Sequence, residues 1–412
     1  MAQEKNDRIV CLFGSGVSIP AGMPSTQELT EKLIPPRDFG LNRSLVYERG
    51  CTDECWASNP LPQIFGNPAR WTPLISEIVS ALAVLIGEGL MEAGLPEGRL
   101  TYEDVMYACR KMSELDEEDT MDPLAAVARA RLRSQVRPEL KNDMNTLLGK
   151  ARSCIGDLLW QELRDRPIGC IDALQFIGEM VDALNGCDIS VITLNHDCVL
   201  EKYLRDRPVS FTDGFSEPGD ESDLATYDGR LLDTDGVGVR VFKLHGSINW
   251  FELGPVGSSF GHRIVSGTLQ EVEDWCDPRR DGADWTIEGN RPILIVGTHN
   301  KTTSYTMGMH AELFCRARNA LMRARKLLIC GYGFRDPGVN TMLWNWGFED
   351  QDRTMVVIHR NPQELRGEVS AEVLKRLDAL EEVRILRWIP KFAGDSISWK
   401  RDLKPHFSPT KS

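Results

Sequence analysis

"RIVCLFGSGVSIPAGMPS", residues 8 to 25, decides how the rest of the chain is read. Ile9 to Phe13 is a short, nearly continuous apolar run, the pattern of a strand covered on both faces. Gly14, Ser15 and Gly16 then turn the chain sharply, because glycine reaches backbone angles and close approaches that a side chain forbids. "TQELTEKL" follows at helical spacing, and Ser25 with Glu28 has the form of a capping box, a structural role that suffices for both residues. A strand, a glycine turn and a helix in that order form a place where a phosphate can come close to backbone. The dinucleotide fingerprint is nevertheless incomplete: it asks for a third glycine at position 19, where Ile19 stands, and no acidic residue about 20 positions on stands out as a ribose partner.

Outward from this turn, "ISVITL" (189–194), "VRVFKL" (239–244), "PILIVG" (292–297), "KLLICG" (326–331) and "TMVVIH" (354–359) repeat the buried-strand pattern. Helical stretches such as "MHAELFCRARNALMRAR" and "NPQELRGEVSAEVLKRL" lie between several of them. Strands alternating with helices predict an α/β fold with a Rossmann-like parallel sheet. From about Trp71 to Leu184 the apolar residues fall at helical spacing with few strand signals, which predicts a large α-helical insertion. The expected division is residues 1–36 and 186–412 for the sheet domain and 37–185 for the insertion. Two further stretches, 213–238 and 253–290, read as long surface excursions.

Composition narrows the function classes. Hydrophobic content of 42% and charged content of 26% are those of a folded globular protein. The 61 acidic against 48 basic residues give a net charge of -13, which disfavours broad binding to nucleic-acid backbones. No secretory leader and no apolar stretch long enough to span a bilayer is read in the sequence, so the expected address is the cytoplasm, without membrane contact. Eleven cysteines, several in core-like segments, suit reduced thiols rather than a disulfide framework. Cys51 and Cys55 are the one closely spaced pair weighed as a metal signal, and without a second pair they fall short of the four ligands of a structural zinc site. No metal is expected.

Four motifs carry the chemistry. "GSGVSIPAGMPS" resembles the Gly-Ala-Gly-x-Ser-x-x-Ala-Gly-Ile-Pro opening of the sirtuin fold. "TLNHDCVLE" (193–201) is similar to its Thr-x-Asn-Tyr/Ile-Asp motif, "KLHGSINW" (243–250) to its His-Gly motif, and "CGYGFRDPGVN" (330–340) to its later glycine turn. The resemblance covers roughly residues 8–34 and 187–390. Deacylating sirtuins carry two Cys-x-x-Cys pairs and an Asp-Phe-Arg after the first motif. This chain has neither, with Ser25 and Thr26 after Pro24, so it more closely resembles the zinc-less, NAD-hydrolysing sirtuin-like effectors of bacterial antiphage defence.

That resemblance implies NAD as substrate, cleaved between nicotinamide and ribose. His245 would be the general base, acting on water directly or through a ribose hydroxyl, since imidazole is available as a base near neutral pH. Asn195 would orient the water or the ribose. Asp197 would fix the turn or the nicotinamide amide, and Asn195 with Asp197 also reads as an ordinary Asx-turn with helix N-cap, since "NHDCVLEKYL" opens a helix. Gly14, Ser15, Gly16, Ser18, Ala21 and Gly22 would line the NAD pocket on one side. Gly331, Tyr332 and Gly333 would lie by the adenosine side, with Asp336 or Asn340 capping the next helix. His359, or Asn361 two residues on, would meet the adenine ribose, and His196 would line the pocket. The alternatives are a nucleotide-sensing or scaffolding subunit that binds without turnover, and an NAD-dependent deacylase. The insertion's runs "ALAVLIGEGL" and "LAAVARARL" carry surplus apolar surface, to be buried against the sheet domain or against another copy in a homo-oligomer. The resemblance implies a separately encoded partner such as a HerA-type ATPase or an Argonaute as another source of restraint.

Overall fold

The computed structural model describes residues 8–34, 68–93, 100–114, 122–184 and 189–407, the last without 208, 218–223, 235, 258–259, 278, 280–284 and 298–299. Cys51 and Cys55 lie outside the described residues. The chain divides into two compact units: Met1–Met23, Leu163–Ile295 and Lys301–Ser412 form one, Pro24–Glu162 and Val296–Asn300 the other.

The first unit is an α/β fold. Its strands in chain order are β1 (Ile9–Phe13), β2 (Ile189–Thr193), β3 (Phe211–Thr212), β4 (Ala225–Thr226), β5 (Val239–Lys243), β6 (Gly246–Pro255), β7 (Arg263–Ser266), β8 (Trp285–Leu294), β9 (Lys326–Cys330), β10 (Thr354–Ile358) and β11 (Leu386–Ile389). Among the described residues, seven of them make a parallel sheet in the order β11-β10-β9-β1-β2-β5-β3. β1, β2 and β5 are buried at every position, because helices cover both faces. On one face Leu12, Ile192, Phe242, Ile329 and Val357 pack with Leu313, Ala317 and Leu321 of the Gly308–Arg323 helix. On the same unit, the ring of Phe13 meets Phe176 edge-on at 6.0 Å, so the Gln175–Leu184 helix belongs with the sheet.

The strand order reverses at β1. From β1 the chain builds outward through β2 and β5, then returns to β9, β10 and β11 on the other side. The carboxyl ends of β1 and β9 therefore flank the crevice where open α/β sheets receive ligands. Ile358, Cys330, Phe13, Thr193 and Lys243 stand in register across that edge.

Two sequence expectations are corrected. "PILIVG" is not a strand of the parallel sheet: Ile293 and Leu294 end β8, which pairs antiparallel with β6. The 253–290 excursion is largely a second sheet, β4-β7-β6-β8, whose strands are antiparallel. A short apolar run carries no information about strand direction, and register shifts between Gly246 and Leu253 break the alternation that would have marked β6. β11 was missed, since Arg387 interrupts its apolar run.

The second unit is helical: Thr26–Leu33, Pro68–Glu92, Tyr102–Ser113, Pro123–Gln135 and Met144–Arg164 are its longer elements. The capping box is present, with Glu28 N donating to Ser25 Oγ at 3.1 Å and Ser25 N to Glu28 Oε2 at 3.0 Å. The Thr26–Leu33 helix belongs to this unit, where Tyr102 N donates to Thr30 Oγ1 and Lys32 pairs with Glu162. Contrary to the sequence reading, one helix segment, Leu74–Glu92, is long and apolar enough to cross a membrane by length and composition. Its Glu77 pairs with Arg137 and its Glu88 with Arg131, so its carboxylates meet cationic groups of the same unit.

Candidate functional site

The carboxyl edge of the parallel sheet collects all four motifs. On the β1/β9 side the glycines serve each other first. Gly14 N donates to Cys330 O and Gly16 N to Gly331 O, both at 3.1 Å. A Cβ on Gly14 would stand 2.4 Å from Gly331 O, and one on Gly331 would stand 2.5 Å from Val17 N. Gly331 also has φ +66, the left-handed region that favours glycine. Gly14, Gly16 and Gly331 thus interlock the two loops backbone to backbone. Ser15 and Gly333 are the exposed residues of the two turns. Gly22 is exposed with φ +93, whereas Ala21 is buried and its carbonyl accepts from Gly169 N.

Tyr332 is buried, and its hydroxyl is engaged inside the loop: it donates to Asn340 Oδ1 at 2.8 Å and accepts from Asp336 N at 3.2 Å. Asn340 in turn donates to Phe334 O at 2.8 Å. Phe334 has φ +53, a conformation that costs a non-glycine residue about 1–2 kcal/mol, and its ring stacks on Trp344 at 6.0 Å. His359 follows β10 at the same edge, half-buried, with Asn361 N donating to its Nδ1 at 3.1 Å. Asn361 caps the Pro362–Glu368 helix.

On the β2/β5 side the site is a buried polar network. Asn195 Nδ2 donates to Ser18 Oγ at 3.0 Å, and Ser18 Oγ donates to Asp197 Oδ1 at 3.1 Å. Asp197 Oδ1 also accepts from Val199 N, the expected Asx-turn, although the N-cap position of the Val199–Arg205 helix is Cys198 rather than Asn195 or Asp197. Burial raises the Asp197 carboxyl above its ordinary value, against the opposing pull of Lys243. This chain of donors fixes the Asn195 amide, and its Oδ1 is buried with no hydrogen-bond partner among the described residues. Lys243, the last residue of β5, reaches beneath the turn: its Nζ lies 2.6 Å from Glu201 Oε1 and donates to the Asp197 carbonyl at 2.5 Å. Burial would lower the lysine's pKa, but Glu201, Cys198 and Asp197 together outweigh it and raise it above its ordinary value.

His245 sits two residues beyond β5, 3% exposed. Its Nε2 lies 2.9 Å from Asp336 Oδ2 and 2.8 Å from Tyr305 OH, and Tyr305 OH donates to the same Oδ2 at 2.7 Å. Asp336 is also the N-cap of the Pro337–Gly347 helix, its Oδ1 accepting from Val339 N at 3.0 Å. Burial alone would raise the Asp336 carboxyl; the hydrogen bond and charge of His245 outweigh it and hold it at about 2. His196 lies 5.9 Å from His245 between ring centroids, and burial, with the charge of His245, keeps it well below the ordinary histidine value. Burial and His245 likewise push His310 down to about 4.

Asp336 was readable in the sequence only as a cap, and Tyr305, in the unremarkable "TTSYTM", gave no signal at all. Their meeting with His245 spans 91 and 60 residues of chain. Among the described residues no group of three or more His, Cys, Asp or Glu side chains is arranged to hold a metal ion.

Residues 189–384 match the SIR2-like domain family, which supports a sirtuin-like family and is compatible with NAD-related activity. The matched segment includes Asn195, Asp197, His245, Tyr305, Gly331, Asp336 and His359, and begins after the first glycine turn. Among curated proteins, no sequence matches the chain.

Proposed function

We propose that this chain is an NAD glycohydrolase that cleaves NAD to nicotinamide and ADP-ribose, and that it serves as an antiphage effector by depleting cellular NAD. The observation that carries the reading is Asn195. Its amide nitrogen is committed to Ser18, while its buried Oδ1 has no partner among the described residues, at the strand edge from which His245 also emerges. A buried acceptor without a donor costs about 1–3 kcal/mol, and a ligand hydroxyl or a water supplies the missing donor.

The chemistry asked of the residues is modest. The bond from ribose C1′ to the pyridinium nitrogen breaks with its electron pair leaving on nicotinamide, so the leaving group becomes neutral without acid help. Water supplies the oxygen that joins C1′, and the proton it loses passes to His245, directly or through a ribose hydroxyl. Asn195 Oδ1 orients the water or ribose, and the ionised Asp336 carboxylate favours the positive charge that develops on the sugar. Ser15, Gly333 and His359, at the β1, β9 and β10 ends of the same edge, are the groups proposed to meet the phosphates and the adenine ribose. Control is proposed to come from self-assembly through the helical unit or from a separate partner such as a HerA-type ATPase or an Argonaute.

Purified protein incubated with NAD should release nicotinamide and ADP-ribose in equal amounts. His245→Ala and Asn195→Ala should each lose on the order of 10³-fold in turnover while keeping the wild-type melting curve. Wild-type turnover in both variants would sink the assignment, and stoichiometric NAD binding without cleavage would point instead to a sensing subunit.

A further inference from the structure

We infer that Asp336 and Tyr305 are positioning residues that hold His245 in one tautomer, with the proton on Nε2 and the lone pair on Nδ1. The inference rests on the NAD-hydrolase reading for its kinetic consequence and on geometry for the tautomer. An ionised carboxylate only accepts hydrogen bonds. Asp336 Oδ2 already accepts from Tyr305 OH at 2.7 Å, and His245 Nε2 stands 2.9 Å from the same oxygen. Nε2 must therefore carry hydrogen, and the tyrosine oxygen, 2.8 Å away, can accept the second branch of that bond. The base nitrogen that receives a proton in the reaction is then Nδ1, and the cation so formed faces a fixed anion.

The surroundings keep this arrangement rigid. Asp336 cannot rotate freely, because its Oδ1 caps a helix through Val339 N. The loop before it is pinned by Tyr332, Asn340 and the strained Phe334. Backbone strain persists where the surroundings over-determine it, often beside functional groups. The titratable groups around His245 come from four elements: Asp336 after β9, Tyr305 and Lys301 at the Asn300–Ser304 helix, His196 after β2, and His310 on the Gly308–Arg323 helix. Asp336 is the anion that bonds His245 directly.

Asp336→Asn tests this sharply. Asparagine is as good an N-cap as aspartate. Capping Val339 with its amide oxygen turns the NH₂ toward His245, where it donates instead of accepting. The ring must then switch to the Nδ1-protonated tautomer. Nitrogen-15 NMR of the histidine rings should show Nε2–H at His245 in the wild type and Nδ1–H in Asp336→Asn, with the native fold retained by circular dichroism although melting falls. In NAD cleavage kcat should fall by about 10³- to 10⁴-fold with KM little altered, the scale seen when a histidine base is given the wrong tautomer. In Tyr305→Phe the tautomer should be kept and kcat should fall about tenfold or less. Its acid limb in the pH–kcat profile should move to higher pH, because a carboxylate that loses a donor holds the histidine cation more strongly. An Nδ1–H tautomer in the wild type overturns the inference, as does Asp336→Asn with wild-type kcat and pH profile. If the tautomers come out as stated but the wild type leaves NAD intact, the hydrolase reading fails and the positioning of His245 stands.

Discussion

The two halves of the carboxyl edge solve the same problem with opposite materials. Between β1 and β9 the loops are joined by bare backbone, Gly14 and Gly16 against Gly331, and no side chain takes part in the closest approaches. Between β2 and β5 the corresponding loops are joined by buried charge, Lys243 with Glu201 beneath the Asn195–Asp197 turn, and Asp336 reaches across from the loop after β9 to pair with His245. A backbone joint places main-chain groups and leaves room above them. A buried polar network instead holds particular side-chain atoms in particular orientations, which proton transfer requires. The first half suits holding a ligand, and the second suits acting on it.

The largest stability change should come from breaking the polar half. Lys243→Met leaves Glu201 buried without its cation and should cost about 3–5 kcal/mol, read from denaturant midpoints. Lys243→Met combined with Glu201→Leu should recover most of that loss, since a buried pair replaced by apolar groups is often neutral. Failure of the double variant to recover would mean that the pair supports the sheet directly rather than the turn.

On the backbone half, Gly331→Ala should cost about 2–4 kcal/mol, from overpacking against Val17 and Gly16 together with its left-handed backbone. Gly333→Ala, two residues on in the same "GYG", meets nothing within 4 Å and should stay within about 0.5 kcal/mol of the wild type. Equal melting temperatures for the two would remove the interlock argument.

A smaller effect follows pH. The folded-state value of Asp336 is depressed, from 3.8 to about 2, so its contribution is fully present above the unfolded value and is lost as pH falls from about 4 through 2. It amounts to about 2 kcal/mol, and Asp336→Asn should lack that part of the acid unfolding curve.

The smallest change in folding stability is expected away from the edge, in the helical unit. Leu124 and Val127 are 82% and 68% exposed on one helix face. Leu124→Glu with Val127→Glu should leave melting within about 0.5 kcal/mol and convert the proposed oligomer to smaller species in light scattering. A wild-type chain that is monomeric at every concentration would end the self-assembly proposal.

Much of this was legible in the chain itself. Continuous apolar runs marked β1, β2, β5, β9 and β10, because a strand buried on both faces has no polar alternation to hide it. The glycine turns, the Ser25–Glu28 box and the positions of Asn195 and His245 just after strands were equally readable, since each depends on neighbours a few residues away. Strand direction was not: "PILIVG" looks the same in a parallel or an antiparallel sheet, and only its pairing with β6 decided the matter. Nor could local spacing reveal that Gly14 and Gly331 require each other, or that Tyr305 and Asp336 converge on one imidazole nitrogen. Those relations join residues separated by 60 positions or more, and they arise where the strand order reverses at β1. Local sequence determines which groups a loop carries; the order of strands in the sheet determines which loops meet, and that order is settled by packing of the whole chain.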